Sequence, residues 1–151
     1  MYPGKNILGI EVRLIAVEWL NTVIEGENLP NAAAIWYSVV NGLPFIRTGS
    51  VEKVLYLFPD PWYKNKHQKR RAFNENTVKE FYRVLKPGGK LHIATDVPEV
   101  DEYHREILRD FGRFDIICLD KDEDWRLPIT NKEKFCKKEN IDYVKMICKK
   151  K

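Results

Sequence analysis

The chain has 151 residues, of which 44% are hydrophobic and 12% aromatic, enough apolar material for one packed domain and too much for a disordered chain. Lysine plus arginine exceeds aspartate plus glutamate by 26 − 22 = 4, an excess too small to establish a nucleic-acid partner by itself, so the distribution of charge matters more than its sum. The three cysteines, Cys118, Cys136 and Cys148, have neither metal-ligand spacing nor a nucleophilic arrangement, no stretch approaches the ~20 apolar residues of a membrane span, and no charged leader precedes an apolar run, so a reduced intracellular location, cytoplasmic or nuclear, with no metal site is expected.

In chain order, Asn6–Val12 is short, apolar and β-branched, which predicts a buried strand. Leu14–Glu25 places apolar residues at helical spacing. Asn28–Asn31 reads as a turn and Ala32–Trp36 as a strand, whereas Val39–Arg47 fits neither pattern. Val51–Phe58 predicts a strand stopped by Pro59. A helix opens at Asn74 and ends near Leu85, with Lys86-Pro87-Gly88-Gly89 as its stop signal. Lys90–Val97 predicts a strand, and Pro98–Phe111 a helix whose early acids match the helix dipole. Phe114–Leu119 and Tyr143–Lys149 complete the strands. Alternating strands and helices predict one α/β domain over residues 1–151 with a mainly parallel sheet and helices on both faces. Ligands in such sheets bind beyond the carboxyl ends of the strands.

Acids stand at three of those ends: Glu11, Asp60 and Asp96. In Phe58-Pro59-Asp60-Pro61-Trp62 each proline fixes its own φ and restricts the residue before it, so Asp60 sits on a stiff loop. It is a candidate catalytic group or an ordinary turn cap. Tyr63–Arg71 carries Lys64, Lys66, Lys69, Arg70, Arg71 and His67 with no acid. Such a run neutralises phosphates, or is simply a solvated loop; Trp62 and Tyr63 beside it could stack on a base. Glu11 suits the hydroxyls of a ribose, or a cap. Asp96 can accept hydrogen bonds from guanine, or cap the helix that starts at Pro98. Thr130-Asn131-Lys132-Glu133 has the form of a capping box.

Taken together, Ile10-Glu11, the FPDPW run followed by Lys64, Lys66-His67 and Lys69-Arg70-Arg71, then Leu85–Gly89, Thr95-Asp96 and Thr130-x-x-Glu133 resemble the tRNA (guanine-N7) methyltransferase family over about Asn6–Lys149. The resemblance implies a Rossmann-like class I methyltransferase sheet and S-adenosylmethionine (SAM) as methyl donor. It implies that Glu11 binds the SAM ribose, that Ser38 stands at the adenine contact, where many members have Asn-Ala or Asp-Ala, and that Asp60 is catalytic and borders the cofactor. It assigns Lys64, His67 and Arg70 to tRNA, and Asp96, Thr130 and Glu133 to the target guanine, whose N7 accepts the methyl group in the tRNA variable loop. The family's first strand and acidic-x-Gly-x-Gly loop would precede Asn6, so the sequence as given would lack them and bind SAM weakly. The strands at Asn6–Val12 and Val51–Phe58 would then pair directly, or recruit a partner subunit or a second copy through an open sheet edge. The alternatives are a non-enzymatic tRNA-binding relative and a class I methyltransferase with another substrate.

Overall fold

β-Branched and aliphatic runs bounded by Pro, Gly and Asn extend and must pair their backbone amides. In the computed structural model they do so in two sheets. Residues 4–62, 71–119 and 125–151 are described. The chain divides into two units, Met1–Gly42 and Leu43–Lys151.

In the first unit, β1 (Ile7–Glu11) leads to α1 (Leu14–Gly26) and β2 (Ala32–Trp36), and the strands pair in parallel from Ile7↔Ala32 to Glu11↔Trp36. The Asn21 amide on α1 donates to the Ala34 carbonyl and accepts from the Ala34 N–H, each at 3.1 Å, and so ties helix to strand. The ambiguous stretch after β2 begins as a single 3-10 turn, Val39–Asn41.

The second unit holds β3 (Val51–Leu57), α2 (Glu75–Val84), β4 (Leu85–Thr95), α3 (Pro98–Phe111), β5 (Phe114–Cys118), α4 (Asn131–Glu139) and β6 (Val144–Lys150). The strand order is β3-β4-β6-β5, with β3 parallel to β4 and β6 antiparallel to both neighbours. Asn74 caps α2 by accepting from Thr77 N–H. The stop signal behaves differently from expectation. β4 begins at Leu85, and the Pro-Gly-Gly run is a bulge inside it, because Val51 faces Leu85 while Lys53 faces Lys90. Gly88 has φ +70°, and a Cβ at Gly89 would lie 2.9 Å from the Lys86 carbonyl, so only glycines fit this excursion. Among the described residues β1 and β3 stand in different sheets, so the expected direct pairing of these strands does not occur.

Residues paired across a sheet share a face. On one face, which also holds buried Leu91 and Ile93, Tyr56 meets Phe73, Phe81 of α2 and His104 of α3, with ring centroids of Phe73 and His104 4.4 Å apart. On the other, Trp125 packs on His92, Ala94 and Ile147. Arg83 closes the entry to β3: its guanidinium binds Glu80 and donates to the Leu43 and Ile46 carbonyls.

Burial lowers the pKa of His92 and of His104 to about 4, aided by Lys53 and Lys90 near the first and by Arg71 near the second. Both imidazoles therefore stay neutral in the fold at pH values where the unfolded chain protonates them. Stability is fully present above the usual histidine value of 6.5 and is lost as pH falls from there toward about 4. Chemical denaturation across that range is expected to show a falling unfolding free energy; a flat profile would contradict the assignment.

Candidate functional site

The loop after β3 is held under strain. Phe58 (φ +49°) and Trp62 (φ +46°) both occupy the left-handed region, which large side chains avoid, and Phe58 does so directly before a proline. Each such residue costs about 1–3 kcal/mol and persists only where its surroundings enforce it. The Phe58 N–H is held by the Ala94 carbonyl at 2.7 Å, and its ring meets Tyr143 with centroids 6.0 Å apart. At the far end, Arg71 donates from Nε to the Pro61 carbonyl at 3.0 Å and lies over the Tyr103 ring. Asp60 projects from this clamped loop and is exposed.

Because Leu57 faces Ala94 and Thr95 faces Val144, the ends of β3 and β4 and the start of β6 lie at one edge of the sheet. Asp96 follows β4 there and pairs with Lys132 at 2.6 Å. The Thr95 hydroxyl accepts from Val97 N–H, which fixes the turn into α3. Thr130 and Glu133 form the capping box of α4 in full: Thr130 Oγ1 accepts from Glu133 N–H at 3.1 Å, and Glu133 Oε2 accepts from Thr130 N–H at 2.7 Å. The second Glu133 oxygen pairs with Lys145 at 2.5 Å, and both side chains are almost wholly buried. The Lys145 ammonium also faces the rings of Trp125 and Tyr143 at 5.1 and 5.5 Å. Burial pushes the Glu133 carboxyl up, but Lys145 and Thr130 together outweigh it and hold it below the usual glutamate range. Thus Asp96, Thr130 and Glu133 are gathered around α4.

Glu11 and Ser38 belong to the first unit, at the carboxyl ends of its two parallel strands. Glu11 Oε1 accepts from Arg13 N–H at 2.8 Å and from its Nε at 3.1 Å, while Oε2 takes one longer bond, 3.3 Å, from Nη2. These bonds, led by the guanidinium, hold its carboxyl below the usual range. The Arg13 side chain is 77% exposed, and a carboxylate with spare acceptor capacity on Oε2 suits a ribose diol. Ser38 precedes the 3-10 turn and makes no side-chain cap bond to it.

Lys64, His67 and Arg70 lie outside the described residues, as does the rest of the basic run up to Arg71. Arg71 itself is buried and serves the loop, so it is withdrawn from the set of phosphate contacts. Lys145 went unnoticed in the sequence: a lone lysine in a strand carries no local signal of its buried partner. Among the described residues no helix is long and apolar enough to cross a membrane, and no group of three or more His, Cys, Asp or Glu side chains is arranged for a metal.

An acidic strand-end site on this strand order fits the fold of the class I SAM-dependent methyltransferases. Solved structures agree: a SAM-dependent methyltransferase from Aquifex aeolicus superposes with a TM-score of 0.65 over 97% of this chain and 69% of its own, at 14% identity. A methyltransferase homolog from Pyrococcus horikoshii reaches 0.69 over 100% of this chain and 55% of its own, at 15% identity. Residues 1–146 match the family model described as "Putative methyltransferase", and the chain belongs to that family. The tRNA (guanine-N(7)-)-methyltransferase of Francisella tularensis subsp. novicida is 33% identical over 144 residues, 93% of this chain and 62% of that protein. Its counterpart from Alcanivorax borkumensis is 38% identical over 107 residues, 70% of this chain and 45% of that protein. The chain thus spans about six-tenths or less of the length of these relatives.

Removing one partner of the buried pair strands the other's charge. Lys145→Met is expected to cost about 3–5 kcal/mol in denaturant unfolding. Adding Glu133→Gln, which preserves the capping box, is expected to restore most of that loss. A double variant no more stable than Lys145→Met alone would refute the pairing.

Proposed function

We propose that residues 1–151 form part of one methyltransferase domain that transfers a methyl group from SAM to N7 of a guanine in the tRNA variable loop. The observation that carries this reading is the strained, doubly clamped FPDPW loop, which presents exposed Asp60 at the same sheet edge as Asp96. The curated relatives support the substrate class.

Bound SAM supplies an electrophilic methyl group on its sulfonium. On this reading Glu11 accepts hydrogen bonds from the ribose, and Ser38 lies beside the adenine. Guanine N7 carries a lone pair and no proton, so the protein need not remove one. It must align the base and stabilise the positive charge that grows on the purine. Asp60 supplies a fixed negative charge for that purpose and borders both the cofactor and the base. Asp96 accepts from the guanine N–H groups, and Thr130 with Glu133 builds the wall against which the base rests. Lys64, His67 and Arg70 hold the tRNA backbone. Lifting a base out of its stack costs a few kcal/mol, which phosphate contacts can offset. A partner subunit or a second copy, docked on the open edges of β1 and β3, forms part of the proposal, as does an intracellular site of action, cytoplasmic or nuclear.

Asp60→Asn tests the assignment. Mass spectrometry of digested tRNA is expected to show N7-methylguanine formation reduced by roughly 10²-fold or more. The melting temperature is expected to stay unchanged, because Asp60 is exposed. Near-normal turnover by the variant would remove Asp60 from the chemistry.

A further inference from the structure

Asp96 is held from two directions. Along the chain it follows β4, where Ala94 pairs with Lys145 of β6. Through space the same lysine grips α4: Lys145 pairs with Glu133, Glu133 closes the capping box with Thr130, and Lys132, the residue before Glu133, reaches back to Asp96. These contacts form a closed circuit that runs from strand to strand to helix and back to the turn after β4. The Lys132 ammonium lies 2.6 Å from Asp96 Oδ2 and 5.3 Å from the centroid of the Phe135 ring, one turn further along the helix. Carboxylate and ring therefore meet the same cation. Among the described residues no donor bonds the other carboxylate oxygen, Oδ1. The Asp96 side chain is 17% exposed, so a ligand can reach it while most of it is walled in. A cation in the first helical turn opposes the helix dipole, so α4 by itself does not favour lysine at position 132; the attraction comes from Asp96.

We propose that Lys132 is a positioning residue for guanine recognition: it pins Asp96 Oδ2 so that Oδ1 stays turned toward the N1–H and N2–H donors of the target base. This rests on the tRNA guanine reading above. An aspartate held at one oxygen by a charge-assisted bond has given up its torsional freedom before the base arrives. Binding then costs less, and the gain falls on a base that donates at that edge. Guanine does so, whereas adenine presents a lone pair at N1. Lys132 acts through Asp96 and need touch no part of the substrate.

The test is a double-mutant cycle in the full chain. It reads the ratio of affinities for two tRNA transcripts that differ only in carrying guanine or adenine at the target position. Asp96→Ala is expected to lower this ratio by roughly 10-fold, the worth of a good base-edge contact. Lys132→Met is expected to lower it by roughly 5-fold, and Lys132→Arg, which keeps the ion pair, to hold it near the wild-type value. Adding Lys132→Met to Asp96→Ala is expected to change nothing further, because residues that act as one unit are not additive. The melting temperature of Lys132→Met is expected to stay within a few degrees of wild type, since the lysine is 39% exposed. An equal loss on both transcripts assigns Lys132 to the phosphate backbone and overturns the proposal, as does a second loss in the Asp96→Ala background. A loss that Lys132→Arg does not restore, with a large fall in melting temperature, assigns the lysine to the fold and also overturns it. A ratio that Asp96→Ala lowers but Lys132→Met leaves alone overturns this inference and spares the guanine reading. Wild-type chain that shows no preference for the guanine transcript overturns that reading and this inference with it.

Discussion

Everything in the second unit hangs on β4. It runs between β3 and β6, and the side chains of Leu91, Ile93 and Ala94 are sealed from solvent. A buried strand cannot leave its amides unpaired, so both neighbours are fixed in register along it. The last of these bonds, from Phe58 N–H to the Ala94 carbonyl, reaches past the end of β3 and grips the first residue of the candidate catalytic loop. One residue after Ala94, the Thr95 hydroxyl orders the turn that carries Asp96. The two acids are therefore set by the same strand.

The carboxyl edge stores cost that the rest of the unit offsets. Two aromatic residues hold left-handed backbone conformations, and a lysine and a glutamate are buried together. Each is unfavourable in isolation, and each is enforced by packing: Phe58 by Tyr143 and Ala94, and the ion pair by Trp125, Tyr143 and the helix cap. A buried pair of this kind adds little net stability but fixes geometry, because any other arrangement leaves a charge unpaired. Here it fixes the start of α4, and Lys132 on the same helix turn reaches Asp96.

The two ends of the sheet differ in chemistry. The carboxyl end gathers exposed Asp60 together with Asp96 and Glu133, each of the latter two paired with a lysine, whereas the opposite end aligns lysines across three strands.

Much of this was legible in the sequence. Ala32–Trp36 and Pro98–Phe111 have the expected bounds, because a turn before the strand, and a proline at the start and a glycine after the end of the helix, are local signals. The capping box at Thr130 forms as its spacing required. The FPDPW and basic strings pointed to the methyltransferase family to which the chain belongs. Four features needed the tertiary structure. β4 starts at Leu85 because β3 supplies a pairing partner there, so a helix stop signal became a bulge. Arg71, one cation in a basic run, turns inward because the Pro61 carbonyl and Tyr103 ring are waiting for it. Glu133 acquires Lys145 from a strand twelve residues later. Lys53, Lys90 and Lys149 become neighbours only through strand register. Local sequence encodes φ preferences, caps and periodicity, which act within a few residues; which distant side chain meets which is decided by pairing and packing, and these exist only once the sheet has formed.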